Sequence, residues 1–321
     1  MPRRKLDSPR KTSLIAPMLY PFRFQPIFKQ RVWGGRELER LYQKPLPPGE
    51  TIGESWEISD HGTDVSVIAN GPLAGQTLRA VMEENSEAIL GDAMPTSNGR
   101  FPLLIKILDA RERLSLQVHP PPDIAAKLHG ESKTEMWYVT HADPDAVIYA
   151  GLKRDVTRAQ FKTALARQEM EPLVHKLTPQ AGDALFVPSG RLHAIGGGLV
   201  IFEIQQNSDT TYRVFDWGRP REIHVAQSLQ CIDFNDFEPA LADTRAEVLV
   251  SCDYFACARL QLSGPRQLQC NDSFHIIAAV AGSVDIGDVV LHAGQFALVP
   301  ASLGKFTLRP HGDATVLDVF A

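Results

Sequence analysis

The chain has 321 residues, 44% of them hydrophobic, enough to bury a sizeable core and to divide into two domains. Its 33 basic and 38 acidic side chains leave a formal charge of −5, which argues against the basic stripe of a nucleic-acid or membrane-surface protein. The four cysteines, Cys231, Cys252, Cys257 and Cys270, form no C-x-x-C pair and read as thiols of a reducing, cytoplasmic compartment; no run approaches the roughly 18–20 apolar residues of a membrane helix.

Residues 1–20 are expected to be a disordered tail. The stretch 1–11 is basic, and the apolar part of 13–20 is short and broken by Pro17, which does not fit a cleaved secretory signal. Order is expected from Pro21. The stretch 28–35 reads as a turn leading into a short helix over 36–43, followed by strand-like runs at 53–59 and 65–69. Leu78, Val81, Met82 and Ile89 recur at near-helical spacing and predict an amphipathic helix over 77–90. An apolar strand over 102–108 then carries one cation, Lys106.

In Leu114-Ser115-Leu116-Gln117-Val118-His119-Pro120 the strand period puts Leu114, Leu116 and Val118 on one face and Ser115, Gln117 and His119 on the other. A second apolar strand, 135–139, carries one acid, Glu135. Amide oxygen, imidazole nitrogen and carboxylate oxygen are ligands that borderline divalent metals accept, so the two strands point to a polar pocket inside a β-barrel. The stretch 155–167 reads as a surface helix capped by Asp155 or Thr157.

A fourth donor comes from 182–193, whose spacing G-x5-P-x-G-x2-H runs from Gly182 through Pro188 and Gly190 to His193. The glycines permit backbone conformations that a side chain penalises, and Pro188 fixes the turn entry. Strands over 199–206 and 211–216 follow, joined by Asn207-Ser208-Asp209-Thr210. Glu203 sits in an otherwise apolar run, so its carboxylate must be partnered or face a cavity. Arg213, ten residues on, is placed to face the same pocket.

Composition shifts near residue 240, which divides a first domain over 21–240 from a second over 241–321. Short apolar strands fill the second, at 274–280, 283–286 and 315–320. Gly294 to Pro300 repeats the G-x5-P of Gly182 to Pro188, but Ser302 stands in place of the glycine and Lys305 in place of the histidine. This reads as a second barrel that has kept its fold signal and lost its metal.

The G-x5-P-x-G-x2-H turn resembles the second motif of the cupin superfamily. Together with Ser115 to Pro120, Lys133 to Tyr138 and Glu203 to Arg213, it resembles the type I phosphomannose isomerases in their short bacterial form, from about Pro21 to the C-terminus. The resemblance implies a mainly β protein of two cupin-type jelly-roll barrels with a few flanking helices. It also implies interconversion of mannose 6-phosphate and fructose 6-phosphate with one Zn2+ per chain, held by Gln117, His119, Glu135 and His193. Arg213 becomes the catalytic cation. The base is open between Lys133 and the two acids Glu203 and Asp209. Lys106, Ser115 and Arg219 fall at phosphate-binding positions, and Trp33, in Trp33-Gly34-Gly35, reads equally as pocket wall or packed aromatic. The expected partner is a small sugar phosphate, with neither nucleic acid nor membrane, and the chain is expected as a monomer or weak homo-oligomer.

Two readings of other classes stand beside this one. A cupin metalloenzyme of another reaction, such as a dioxygenase or another sugar-phosphate isomerase, would more typically carry His-x-His where Gln117-Val118-His119 stands. A non-catalytic sugar-binding cupin would be expected to have lost its ligands. Two departures from the family pattern also stand out: Gly197 occupies the position where many cupins have Asn, and the long helical insertion of the larger forms is missing.

Overall fold

Between Ile27 and Phe215 the period-2 runs assemble into two sheets around one interior; the computed structural model describes residues 19–321. A six-stranded antiparallel sheet has the order Ile27–Gly35, Ile52–Ile58, Leu103–Ala110, Leu199–Gln206, Glu135–Ala142, Ala184–Val187. A five-stranded sheet has the order Tyr212–Phe215, Leu116–Val118, His193–Ile195, Ile148–Leu152, Val174–Leu177. Leu108, Trp137, Leu185 and Ile201 from the first sheet pack with Ile148, Ala150 and Ile195 from the second to form the interior.

The alternation along Leu199–Gln206 divides that interior. Val200, Phe202 and Ile204 face outward, and Leu199 and Ile201 face inward. Glu203 and Gln205 share the inward face, so one end is apolar and the other polar. The outer face of the five-stranded sheet, with Leu116, Val118 and Leu152, is covered by the helices Arg158–Arg167 and Val225–Cys231.

From Val248 on, the same architecture recurs. A five-stranded sheet, Val248–Ser251, Ala256–Leu262, Ala314–Phe320, His275–Ala281, Phe296–Val299, faces a four-stranded one, Arg266–Gln269, Lys305–Pro310, Ser283–Ile286, Val289–His292. The fold is thus mainly β, in two jelly-roll units with few helices. The units share a core: Ile105, Met136, Phe202 and Ile204 pack in one cluster with Cys257, Ile276, Leu298, Leu317 and Val319. Phe22 adds a further tie, exchanging backbone hydrogen bonds of 2.8 and 2.9 Å with Leu298.

The second unit repeats the first in register. Val187 pairs with Glu135, and Val299 pairs with His275, so His275 takes the place of Glu135. Its Nδ1 lies 2.6 Å from Asp318, inside an otherwise apolar core.

Several expectations are corrected. Ile27–Gly35 is a strand and not a turn; it pairs with Ile52–Ile58 across register shifts at Gln30, and Gly34 lies so close to Gly53 that a Cβ would sit 2.4 Å from its nitrogen. Leu114 parts from Leu116 and Val118 and joins the interior with Trp33 and Trp137, because the strand starts only at Leu116. Leu19 and Tyr20, assigned to the tail, are packed: the Tyr20 hydroxyl donates to the Asn70 carbonyl at 2.8 Å and accepts from Leu73 N at 2.9 Å. The rest of that tail lies outside the described residues.

The helix Leu78–Leu90 forms as expected, capped by Thr77 and interrupted at Asn85. Thr157, with Gln160 in a reciprocal capping box, caps Arg158–Arg167, while Asp155 stands outside it in the left-handed region. The left-handed conformation required at Gly182 and Gly190 is present, with φ of +97° and +91°.

Candidate metal centre and its cavity

Three strand ends meet at the polar end of the first unit. His193 pairs across the sheet with Gln117, and Gln117 in turn with Arg213, so the five-stranded sheet supplies an imidazole, an amide and a guanidinium in adjacent positions. The six-stranded sheet supplies Glu135 and, beside it, Gln205. Backbone pairing thus places residues nearly a hundred positions apart in one cluster.

His119, Glu135 and His193 are each at most 1% exposed, and their ligand atoms lie within 4.8 Å of one another. Glu135 Oε1 is 3.7 Å from His119 Nε2 and 3.6 Å from His193 Nε2, and it is buried without a hydrogen-bond partner. His119 Nδ1 is 2.8 Å from the Thr210 carbonyl and His193 Nδ1 is 2.9 Å from that of Arg191. Each carbonyl accepts from the Nδ1 proton, which turns the Nε2 lone pairs toward Glu135, as metal-bound imidazoles require. Burial, and then the neighbouring His119, push His193 down to about 3; burial and Lys133 lower His119 as well, so both rings stay neutral.

Gln117 completes the set. Its Nε2 is 3.3 Å from His193 Nε2 and its Oε1 accepts from Ser115 Oγ at 3.2 Å; a half-turn of the amide presents the oxygen to the same point. An orphaned carboxylate oxygen, two neutral imidazoles and an amide oxygen fit a divalent cation of the borderline class.

Gln117, and Lys133 in contact with Glu135, border a cavity of about 400 Å³ whose lining does not include His119, Glu135 or His193 themselves. Of the residues expected from the sequence, Trp33, Lys106, Ser115, Gln117, Lys133, Glu203, Asp209 and Arg213 line it. Arg219 does not; it is held on Asp216 outside the lining, and Arg221 lines the cavity in its stead. Sequence reasoning also passed over Arg31, Glu54 and Thr211. Glu54 carried little signal: the strand-like run 53–59 is polar and holds a second acid, Glu57, so neither stands out as Glu203 does in its apolar run. A wider groove of about 570 Å³, lined by Glu84, Glu87, Asp92 and Asp272, lies elsewhere and has no imidazole or cation in its lining.

The cavity's charges interlock on one wall. Lys106 Nζ is 3.6 Å from Glu203, 3.6 Å from Asp209 and 3.9 Å from Glu54, and it sits 4.8 Å from the Trp56 ring centroid. Lys133 Nζ contacts Glu135 Oε2 directly and lies 3.6 Å from Glu203 and 3.3 Å from His119 Nε2. Burial alone would lower Lys133; Glu135 and then Glu203 outweigh it and hold the ammonium charged. Against its burial, Lys106 and then Arg31 hold Glu54 down at about 2.

Glu203 goes the other way. Burial, and then Glu135, push it up to about 7, while Trp137 Nε1 donates to its Oε2 at 3.0 Å. A carboxyl balanced near neutrality in a cavity is suited to taking up and returning a proton.

Residues 21–134 match the family profile described as phosphomannose isomerase type I, catalytic domain. A probable mannose-6-phosphate isomerase, GmuF, of Bacillus subtilis is 35% identical over 313 residues, covering 91% of this chain and 97% of that protein. A mannose-6-phosphate isomerase of Streptococcus mutans is 35% identical over 303 residues, covering 89% and 94%. The crystal structure of the mannose 6-phosphate isomerase from Bacillus subtilis superposes with a TM-score of 0.83 at 31% identity, covering 94% of this chain and 99% of that one.

Proposed function

The chain belongs to the type I phosphomannose isomerase family, and from that premise we propose that it interconverts mannose 6-phosphate and fructose 6-phosphate by moving a proton between C2 and C1 through an enediol. The observation that carries the reading is Glu135 Oε1, a buried carboxylate oxygen without a partner, facing two neutral imidazoles beside a charged cavity that Gln117 and Lys133 line. Zn2+, one per chain, is the proposed cation, held by Gln117, His119, Glu135 and His193. When bound it supplies Lewis-acid stabilisation of the negative charge that develops on the substrate oxygens.

The remaining work falls to the chain's own residues. Glu203 carries the proton between the two carbons, since it is the cavity acid whose affinity for a proton lies near neutrality. A cation at Glu135 removes one cause of that upward shift and leaves burial, the larger one, in place. Lys133, held charged, and Arg213, whose Nε is buried without a partner, stand ready to donate to oxygens of the open-chain sugar. Lys106, ringed by three carboxylates, holds Glu203, Asp209 and Glu54 in place, and Asp209 shares that cluster from a half-exposed position. Ser115 and the arginine side of the cavity meet the phosphate, and Trp33 closes the pocket beside Leu114.

Residues 21–240 form the metal-binding domain in this reading and 241–321 a degenerate partner. The protein acts in the cytoplasm as a monomer or weak homo-oligomer on a small sugar phosphate; among the described residues no helix is long and apolar enough to cross a membrane.

The test is interconversion of the two sugar phosphates by purified protein, before chelation, after it, and after zinc is restored. Activity is expected to vanish and return. A protein that stays inactive with metal bound would refute the reading.

A further inference from the structure

The loop between Arg213 and His224 leaves the strand Tyr212–Phe215 and returns to it. Both ends are fastened at one place: His224 N donates to the Arg213 carbonyl at 2.8 Å, and Arg213 N donates to His224 Nδ1 at 3.1 Å. Within the loop a turn is closed by Arg219 N on the Asp216 carbonyl at 3.0 Å. Its second residue, Trp217, has a φ of +57°, a conformation an L side chain resists. Trp217 is kept there by its Nε1, which donates to the Leu114 carbonyl at 2.7 Å, and by the Arg113 guanidinium 4.1 Å from its ring centroid.

This pinned loop gathers two guanidiniums on a single buried carboxylate. Asp216 is 2% exposed. Arg221 grips both of its oxygens, Nε on Oδ2 and Nη2 on Oδ1, each at 2.6 Å. Arg219 reaches Oδ1 alone, by Nη2 at 2.8 Å and Nε at 3.2 Å. A two-pronged grip fixes the plane of a guanidinium, which is how an arginine is aimed. Of the two arginines, it is the one held in this way that lines the cavity.

Arg213 joins them from the strand. Its Nη1 donates to the Glu222 carbonyl at 2.6 Å while its Nε stays buried without a partner. Three guanidiniums therefore face one buried carboxylate, and the nearby Glu222 side chain is 83% exposed and screened by water. On the other wall Lys106 and Lys133 are already neutralised by carboxylates at 3.6 Å or less. The strand that Ser115 leads into pairs with Tyr212–Phe215, Leu116 opposite Phe215, so the Ser115 hydroxyl lies on the arginine side. A dianion is drawn to the wall where positive charge is in excess.

The geometry points to Arg221 as the cation that holds the phosphate end of the substrate, with Asp216 as the positioning residue that aims it and Arg219 as the second arm steadying Asp216. This rests on the sugar-phosphate reading above and names a residue that the family resemblance passes over in favour of Arg219.

In the metal-loaded full chain, Arg221→Ala is expected to raise KM for mannose 6-phosphate about ten- to a hundredfold, the loss of one or two charge-assisted hydrogen bonds, with kcat little changed. Arg221→Lys keeps the charge without the fork and is expected to recover only part of the loss. Asp216→Asn, which loosens the grip, is expected to raise KM in the same direction. An unchanged KM in Arg221→Ala, or an equal or larger increase in Arg219→Ala, would overturn the proposal.

Calorimetric titration with inorganic phosphate reads the same site without turnover. Binding weakened about tenfold or more in Arg221→Ala supports the assignment, and equal binding overturns it. Phosphate held through Arg221 by a protein that does not interconvert the two sugar phosphates would sink the isomerase reading and leave the anion site standing. The Arg221 side chain is 27% exposed on a loop, so circular dichroism of the variants is expected to match the parent.

Discussion

Lys106→Met separates two roles that a cavity lysine can play. The side chain is 4% exposed and its ammonium lies 3.6 Å from Glu203, 3.6 Å from Asp209 and 3.9 Å from Glu54. Removing one partner from a buried ion pair costs about 3–5 kcal/mol. Here the loss falls at or below the lower end, about 2–3 kcal/mol, because Glu54 keeps Arg31, Glu203 keeps Lys133, and Asp209 is 47% exposed. For a chain of this size that is a fall in Tm of roughly 5 °C, readable by calorimetry. Lys106 also holds Glu203 down against burial, so without it the Glu203 pKa rises further above about 7. A base with a raised pKa is protonated over more of the pH range. The acidic limb of the kcat profile is therefore expected to move to higher pH, and kcat at pH 7 to fall about tenfold for every pH unit the limb moves. A phosphate ligand would behave differently, raising KM ten- to a hundredfold with the kcat profile unmoved, as about 1.4 kcal/mol per tenfold requires. That second outcome would refute the assignment of Lys106 to the carboxylates.

His193→Ala is expected to lose both activity and metal while keeping its circular dichroism spectrum, because the strand core does not depend on that ring; stoichiometric zinc by elemental analysis would remove His193 from the ligand set. Leu317, fully buried in the core shared by the two units, is expected to cost about 2–5 kcal/mol when changed to Ala. All four tryptophans precede residue 218, so their fluorescence reports on the other unit, and a fluorescence transition left in place by Leu317→Ala would refute a shared core. The metal-free protein should also have an uneven acid response. His193, lowered to about 3, contributes stability present above pH 6.5 and lost as pH falls. Glu203, raised to about 7, has the opposite sign and gains stability as pH falls toward 4.5. His119, lowered too, adds to His193, and Asp109, raised by burial to about 6, adds to Glu203; the two pairs oppose between pH 6.5 and 4.5, and urea midpoints are expected to stay nearly flat there. Below pH 4.5 Glu203 is protonated in both states, while the lowered carboxyls Glu54 and Glu135 begin to lose their contributions alongside His193; stability then falls, by about 1.4 kcal/mol per pH unit for each group that titrates. A steady decline beginning at pH 6 would contradict this balance.

The parts of the site that the sequence made legible are those where local rules are strict. A carboxylate inside an apolar strand has to face a cavity or a partner, and Glu203 faces Lys106, Lys133 and the indole of Trp137. Gly182 and Gly190 adopt the left-handed conformations that their motif implied, and the turn they form delivers His193 to the cluster with His119 and Glu135. Illegible parts depend on partners far along the chain. Ile27–Gly35 has weak alternation and becomes a strand because Ile52–Ile58 pairs with it. Arg219 and Arg221 flank Pro220 and look equivalent in sequence. Only Asp216, which one grips with both prongs and the other with one oxygen, tells them apart.

The two jelly-roll units differ in one physical respect that bears on why only the first reads as a site. In the second, His275 stands where Glu135 does in the first, and it bonds Asp318 at 2.6 Å, so the polar pair satisfies itself inside an apolar core. In the first, satisfaction is deferred. Five buried side-chain polar atoms among the described residues have no partner. Glu135 Oε1 faces the two imidazoles, Gln205 Oε1 belongs to the residue paired with Glu135, Arg213 Nε borders the cavity, and Ser132 Oγ precedes Lys133. The fifth, Ser228 Oγ, lies in a helix beneath, and none lies in 241–321. Leaving a buried polar atom unpaired costs about 1–3 kcal/mol, so Glu135 Oε1 in the ligand cluster and Arg213 Nε at the cavity are a considerable cost if nothing ever occupies the site. A metal ion is a partner of the right kind for the first and a sugar oxygen for the second, which makes this unpaired pair an argument for occupation that stands apart from any motif.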